Sequence, residues 1–127
     1  MKTWYPVVEL AGRVLLALIF IQSGLGKISG LEGTQGYMEM MGVPGFLIYP
    51  TILVELVGGI FVLIGFQTRI SALLLAGFSL LSGFLFHFDP SNQMEMISFM
   101  KNVTIAGGFL LLVAHGAGKL SVDGRRG

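Results

Sequence analysis

Cysteine is absent from the 127-residue chain. That excludes a disulfide framework, thiolate zinc sites, iron–sulfur clusters and any thiol relay run by this chain's own residues. Charge is scarce too: 12% of residues are charged, about half the usual share of about 25%. A soluble domain this small could not cover its surface with so few charges. The 54% hydrophobic content therefore reads as a membrane protein. Net charge is +1 with no basic block and no acidic tail, which argues against nucleic acid as a partner. No phosphate-binding loop, paired His/Glu metal motif or serine elbow occurs. No motif names a catalytic residue, so enzymatic activity stays open.

What is present is apolar length. The chain suits one domain, residues 1–127, and is too short for two. Four apolar stretches, at about 7–25, 46–66, 70–88 and 96–115, each approach the ~20 residues needed to cross a bilayer. Backbone groups in lipid need internal partners, so these spans are expected to be helices. The fold class is all-α, a four-helix transmembrane bundle. Glu9 and Arg13 lie inside the first stretch and no small-residue cleavage site follows, so it reads as a retained span. Paired glycines, Gly58-Gly59 and Gly107-Gly108, suit close helix approach.

An even number of spans puts both termini on one side, with the Gln67–Arg69 turn. That side holds Lys2, Arg69, Lys119, Arg125 and Arg126. The positive-inside rule makes it the cytoplasm. The first outer loop holds Tyr37-Met38-Glu39-Met40-Met41 between glycines, which reads as a short helix at the interface.

Ionisable groups inside spans are costly, and each is a candidate site. Counting ~1.5 Å per residue from the ends of the spans puts Arg13 and Glu55 at similar depth. An Arg13–Glu55 ion pair is expected there, with Glu9 one helical turn from Arg13. Such a pair serves either as a lock between spans or as a proton or substrate site. A second group gathers toward the outer face: Gln22, Lys27, His87, Lys101 and Asn102. Imidazole, amide and ammonium donors suit a quinone carbonyl or a small oxyanion. Phe84, Phe86, Phe88 and Phe99 could supply an apolar wall. The bland alternative has Lys101 snorkelling outward.

Apart from Met1, every methionine falls toward the outer face: Met38, Met40, Met41, Met94, Met96 and Met100. The M-x-M spacing of Met38/Met40 and Met94/Met96 suits copper(I) coordination. Thioethers also pack irregular gaps, the more ordinary use. No other metal site is expected.

In order along the chain, GRVLLALIFIQSGLGKISG, ELVGGIFVLIGFQTRISALLL, FHFDP, FMKNVTIAGGFLLL and GAGKLSVDG resemble the DoxX family of small bacterial four-helix membrane proteins. The resemblance runs from about Gly12 to Asp123. It marks Arg13, Glu55, Arg69, His87, Lys101, Asn102 and Asp123 as matching positions. It implies a multi-pass protein of the bacterial inner membrane, associated with redox physiology. One such system is a thiosulfate:quinone oxidoreductase with a DoxX-like small subunit. The expected function is thus a membrane subunit of a redox system, in a homo-oligomer or with a redox partner, with quinone as the candidate cofactor. A proton-coupled or small-molecule carrier built on Glu55 and Arg13 is the alternative, with outer-face copper handling a third.

Overall fold

The computed structural model describes residues 4–126, with side chains through residue 124. Lys2 and the side chains of Arg125 and Arg126, used above to orient the chain, lie outside that description. Six α-helices follow in order: α1 Tyr5–Ser29, α2 Leu31–Met40, α3 Ile48–Ile64, α4 Thr68–Phe86, α5 Gln93–His115 and α6 Val122–Arg126. A short 3-10 turn, Gly45–Leu47, leads into α3. Among the described residues there is no strand. Helices α1, α4 and α5, and the segment Gly45–Ile64 that includes α3, are long and apolar enough to cross a membrane. The four expected spans are present, with ends shifted by a few residues.

Local chemistry sets the boundaries. Pro6 sits in the first turn of α1, where the missing N–H costs nothing. Asn92 caps α5 by accepting the Glu95 N–H at 3.2 Å. Helix α3 ends at Gly65, whose φ of 74° is left-handed. A Cβ there would collide with Ser121 and meet the Arg13 guanidinium at 2.9 Å, so only glycine fits.

Helix α1 packs antiparallel on α3, α4 packs on α5, and α3 joins the two pairs along α4. The buried face of α1 is Arg13, Ala17, Phe20 and Gly24, a stripe at helical spacing. Helix α4 buries mostly small residues, including Ser71, Ala72, Ala76, Ser79 and Gly83, which lets neighbouring backbones approach. Gly59 does the same for α3: a Cβ there would meet Ile21 of α1 at 2.9 Å. Phe20 fixes the centre, edge-on to Phe109 at 5.4 Å and to Phe78 at 6.3 Å. Most other large apolar side chains point outward, as the lipid-facing surface of a bundle must.

Both described chain ends lie at one end of the bundle, called here the terminal end. The opposite end, with α2 and the α4–α5 turn, is the distal end. Segment 116–124 folds back under the terminal end. Asp123 accepts the Gln67 N–H at 2.9 Å and the Thr68 N–H at 2.8 Å, so it caps the start of α4 from 55 residues away.

Candidate functional site

The antiparallel register of α1 on α3 decides which polar groups meet. Gly24 of α1 lies against Leu56 and Glu55, Ala17 and Ile21 lie against Gly59, and Arg13 lies beside Gly65. Arg13 and Glu55 are therefore separated by the rise from position 13 to position 24 of α1, about 16 Å. The expected Arg13–Glu55 pair does not form. The two helices are not flush: α1 overhangs the end of α3 at the terminal end. Equal counts from their ends thus denote different levels.

Each residue of that expected pair finds another partner. Arg13 is 2% exposed and donates to three backbone carbonyls: Ala117 O at 2.8 Å, Leu120 O at 2.9 Å and Leu63 O at 3.2 Å. The Asp123 and Glu9 carboxylates lie near it. Glu9 is exposed and stands against Gly118, where a Cβ would meet its Oε1 at 2.7 Å. Arg13 is a collar that ties the C-terminal segment to α3. Arginine suits that task because its fork of fixed donors reaches several acceptors at once.

Glu55 meets Lys27 instead, Nζ to Oε1 at 2.8 Å. Lys27 also donates to Ser23 Oγ at 2.7 Å. The Glu55 side chain is 4% exposed and that of Lys27 23%. At that distance the ammonium neutralises the carboxylate. This pair lies on the wall of a cavity of about 650 Å3 in the distal half of the bundle, within the range of small-molecule sites. Phe20, Val54, Phe78, Phe86 and Ile105 form apolar walls. Ser79, Ser82, Asn102 and His87 add polar points from α4 and α5, and Thr34, Tyr37 and Met38 of α2 close the distal side.

Of the five residues expected at the outer face, three converge: Lys27, His87 and Asn102 line this cavity. Gln22 faces outward from α1 and is exposed. Lys101 is exposed too, on a separate open groove beside Met96 and Met100 that shares only the rim residues Ile19, His87, Asn102 and Ile105 with the cavity. Matching depth along a helix does not fix its facing side, which is why these two diverge. Of the four phenylalanines, Phe86 alone lines the cavity. Phe84, Phe88 and Phe99 stack on one another with ring centroids 4.9–5.4 Å apart.

Asn102 donates to Ser79 O at 3.0 Å and to Ser82 Oγ at 3.4 Å, crossing from α5 to α4. His87 Nδ1 lies 3.0 Å from Glu95 Oε2 at the distal rim. Tyr37 stacks on Phe86 at 5.6 Å, and its hydroxyl donates to Phe86 O at 3.4 Å. Burial, then the nearby Glu95 carboxylate, raises the Tyr37 phenol above its usual value. Ser79 Oγ is buried without a partner. The sequence reading passed over Ser23, Tyr37, Ser79 and Glu95. Ser79 alone carried a signal, as a hydroxyl at helical spacing within a run of small residues.

The methionine pairs do not assemble. Met38/Met40 falls in α2 and Met94/Met96 in α5, and residues two apart on a helix point to different sides. Met38 is 5% exposed beneath α2 while Met40 is 85% exposed. Met41, Met94 and Met100 are exposed as well. The M-x-M spacing therefore places neither pair on one side of its helix. Among the described residues, no group of three histidine or carboxylate side chains stands ready for a metal.

The DoxX family profile matches residues 8–88. "Inner membrane protein YqjF" of Escherichia coli is 50% identical over 97% of this chain and 95% of its own length. "Inner membrane protein YphA" of the same organism is 38% identical over 94% of this chain and 91% of its own. "Putative oxidoreductase CatD" of Bacillus subtilis is 37% identical over 60% of this chain and 57% of its own. No solved structure matches. The chain belongs to the DoxX family and is a multi-pass protein of the bacterial inner membrane.

Proposed function

We propose that this DoxX-family protein is a membrane subunit of a redox system that receives a quinone-class ligand in its distal cavity. One observation carries the reading: a Lys27–Glu55 ion pair, its carboxylate buried and its ammonium partly so, sits on the wall of a cavity lined mostly with apolar and aromatic side chains. A buried ion pair is no more stabilising than apolar packing of the same volume. Its place inside a membrane bundle therefore supports a role in binding or chemistry. A quinone has a flat apolar ring with polar oxygens at its edge. Phe78 and Phe86 suit the ring, and Lys27 and His87 suit the oxygens.

The chain has no cysteine, and its two histidines, His87 and His115, sit at opposite ends of the bundle. Electrons must then reach the ligand from elsewhere, which favours assembly with a redox partner or a second copy. The oxidoreductase name carried by CatD agrees with that role. Both termini are assigned to the cytoplasm from Lys119 and Arg69 at the terminal end, and α2 to the outer interface.

The test is titration of the protein in nanodiscs with a short-chain quinone analogue. The native protein is expected to bind saturably. His87→Ala loses one polar contact at the rim, lowering affinity by roughly 2- to 12-fold. Thr51→Phe fills the cavity and weakens binding further, while Gln22→Ala on the outer surface leaves it unchanged. Absence of saturable binding, or equal weakening by Gln22→Ala, removes the cavity from the mechanism.

The same buried pair supports a second reading, a proton-coupled carrier using Glu55. Proton-dependent uptake into proteoliposomes, lost in Glu55→Gln, would favour it over the redox subunit.

A further inference from the structure

Glu55 holds the Lys27 ammonium at its Oε1, 2.8 Å away. A carboxylate has about four lone-pair sites, so one ammonium does not exhaust its acceptor capacity. The residue is 3% exposed and lines the cavity. A carboxylate can only accept, so what fills its remaining sites must bring an O–H or N–H into the cavity. Burial makes that demand strong, because an unsatisfied acceptor in a low-dielectric site is costly.

A buried hydroxyl lies at a similar level on α4. Gly58 of α3 lies against Leu75 of α4, and one turn further toward the distal end these antiparallel helices bring Glu55 and Ser79 to the same level. Ser79 is 3% exposed, and its Oγ has no partner. It also lines the cavity. Asn102 commits its amide N–H2 to Ser79 O and Ser82 Oγ, which leaves its oxygen as a further acceptor. The ammonium of Lys27 is neutralised by Glu55, so the wall carries no surplus positive charge to attract an oxyanion.

Resting on the quinone-class reading of the cavity, we propose that Glu55 accepts a hydrogen bond from a ligand hydroxyl, with Ser79 as a second polar contact. The site thereby selects the reduced hydroquinone over the quinone. The two forms share their ring and differ in polarity at the oxygens. Hydroquinone presents two O–H donors, whereas quinone presents two carbonyl acceptors that offer Glu55 no further donor. A site built around a hydrogen bond rejects the analogue that cannot make it.

Binding of three short-chain probes to the protein in nanodiscs, under anaerobic reducing conditions for the first, tests this: a hydroquinone, the matching quinone and the hydroquinone dimethyl ether. The hydroquinone is expected to bind roughly 10- to 150-fold more tightly than the other two, the span of a hydrogen bond to a charged acceptor. Glu55→Gln should erase most of that preference. Ser79→Ala removes a hydroxyl that makes no internal bond, so folding should survive while hydroquinone affinity falls roughly 2- to 12-fold. It therefore decides the matter if Glu55→Gln does not fold. Equal binding of hydroquinone and quinone by the native protein overturns the selection and leaves the quinone-class reading standing. A preference that survives both substitutions overturns it as well. Saturable binding of none of the probes overturns both.

Discussion

Lys27 and Glu55 meet at 2.8 Å across the α1–α3 interface, yet their burial is unequal. Lysine has a long apolar stem and can carry its charge outward when the partner is lost. The carboxylate, 4% exposed, has no such escape. The two residues form one contact with two very different dependencies.

Lys27→Met should accordingly be the more damaging substitution. It strands a buried carboxylate, a change that costs up to about 3–5 kcal/mol. Glu55→Ala frees a lysine that can move to the interface, at a cost nearer the ~1 kcal/mol of an exposed pair. The double variant Lys27→Met/Glu55→Leu should recover most of the loss. Thermal unfolding in nanodiscs measures all three, and equal losses from the two single substitutions would show that Glu55 is not the dependent partner.

Arg13→Lys should loosen the terminal end. One ammonium cannot reproduce three bonds to the carbonyls of Leu63, Ala117 and Leu120, and each bond not remade costs about 1.5–3 kcal/mol. Amides of residues 117–124 and of the first turn of α4 should exchange faster with deuterium, with ligand binding in the distal cavity unaltered. Unchanged exchange there would mean the C-terminal segment is held by other contacts.

Tyr37 offers a pH test outside the spans. Its pKa is raised by burial and by Glu95, so in the folded state the phenol holds its proton above the usual value of about 10. The sign follows: its stabilising contribution is complete below the unfolded value and is lost as pH rises through the folded one. Ultraviolet difference titration should show one tyrosine ionising late, absent in Tyr37→Phe, with α2 undocking over the same interval. A late component that persists in Tyr37→Phe would assign it to another residue.

Topology is checked by reporters. Fusions at either terminus should read cytoplasmic, and one placed between Asp89 and Asn92 should read external. A C-terminal reporter on the opposite side from the N-terminal one would contradict the even number of spans.

The four spans were legible because lipid demands long apolar runs, and the chain has four of them. The pairing of polar residues was not. Depth counted from sequence treats helices as flush cylinders, whereas Gly59 and Gly65 set a register in which α1 overhangs α3. That offset gives Glu55 to Lys27, a residue expected in the outer polar group. Facing direction was equally hidden for Gln22 and Lys101, since a side chain's azimuth depends on which stripe its helix buries. The glycine-rich GAGKLSVDG segment was noted only through the family resemblance. Its mechanical part rests on backbone carbonyls, which carry no residue-specific signature.

The bond from Arg13 to Ala117 joins positions 104 apart in the chain, and this sets a timetable for biogenesis. At a synthesis rate of roughly 5–20 residues per second, the acceptor emerges about 5–20 s after the guanidinium. During that interval α1 is in or near the bilayer with a full charge and without its Ala117 and Leu120 acceptors. Arg13 must wait near the headgroups or in the water of the insertion machinery, so α1 cannot settle at its final depth until the last helix has arrived. Capture of Arg13 by Ala117 and Leu120 therefore follows the synthesis of all four spans.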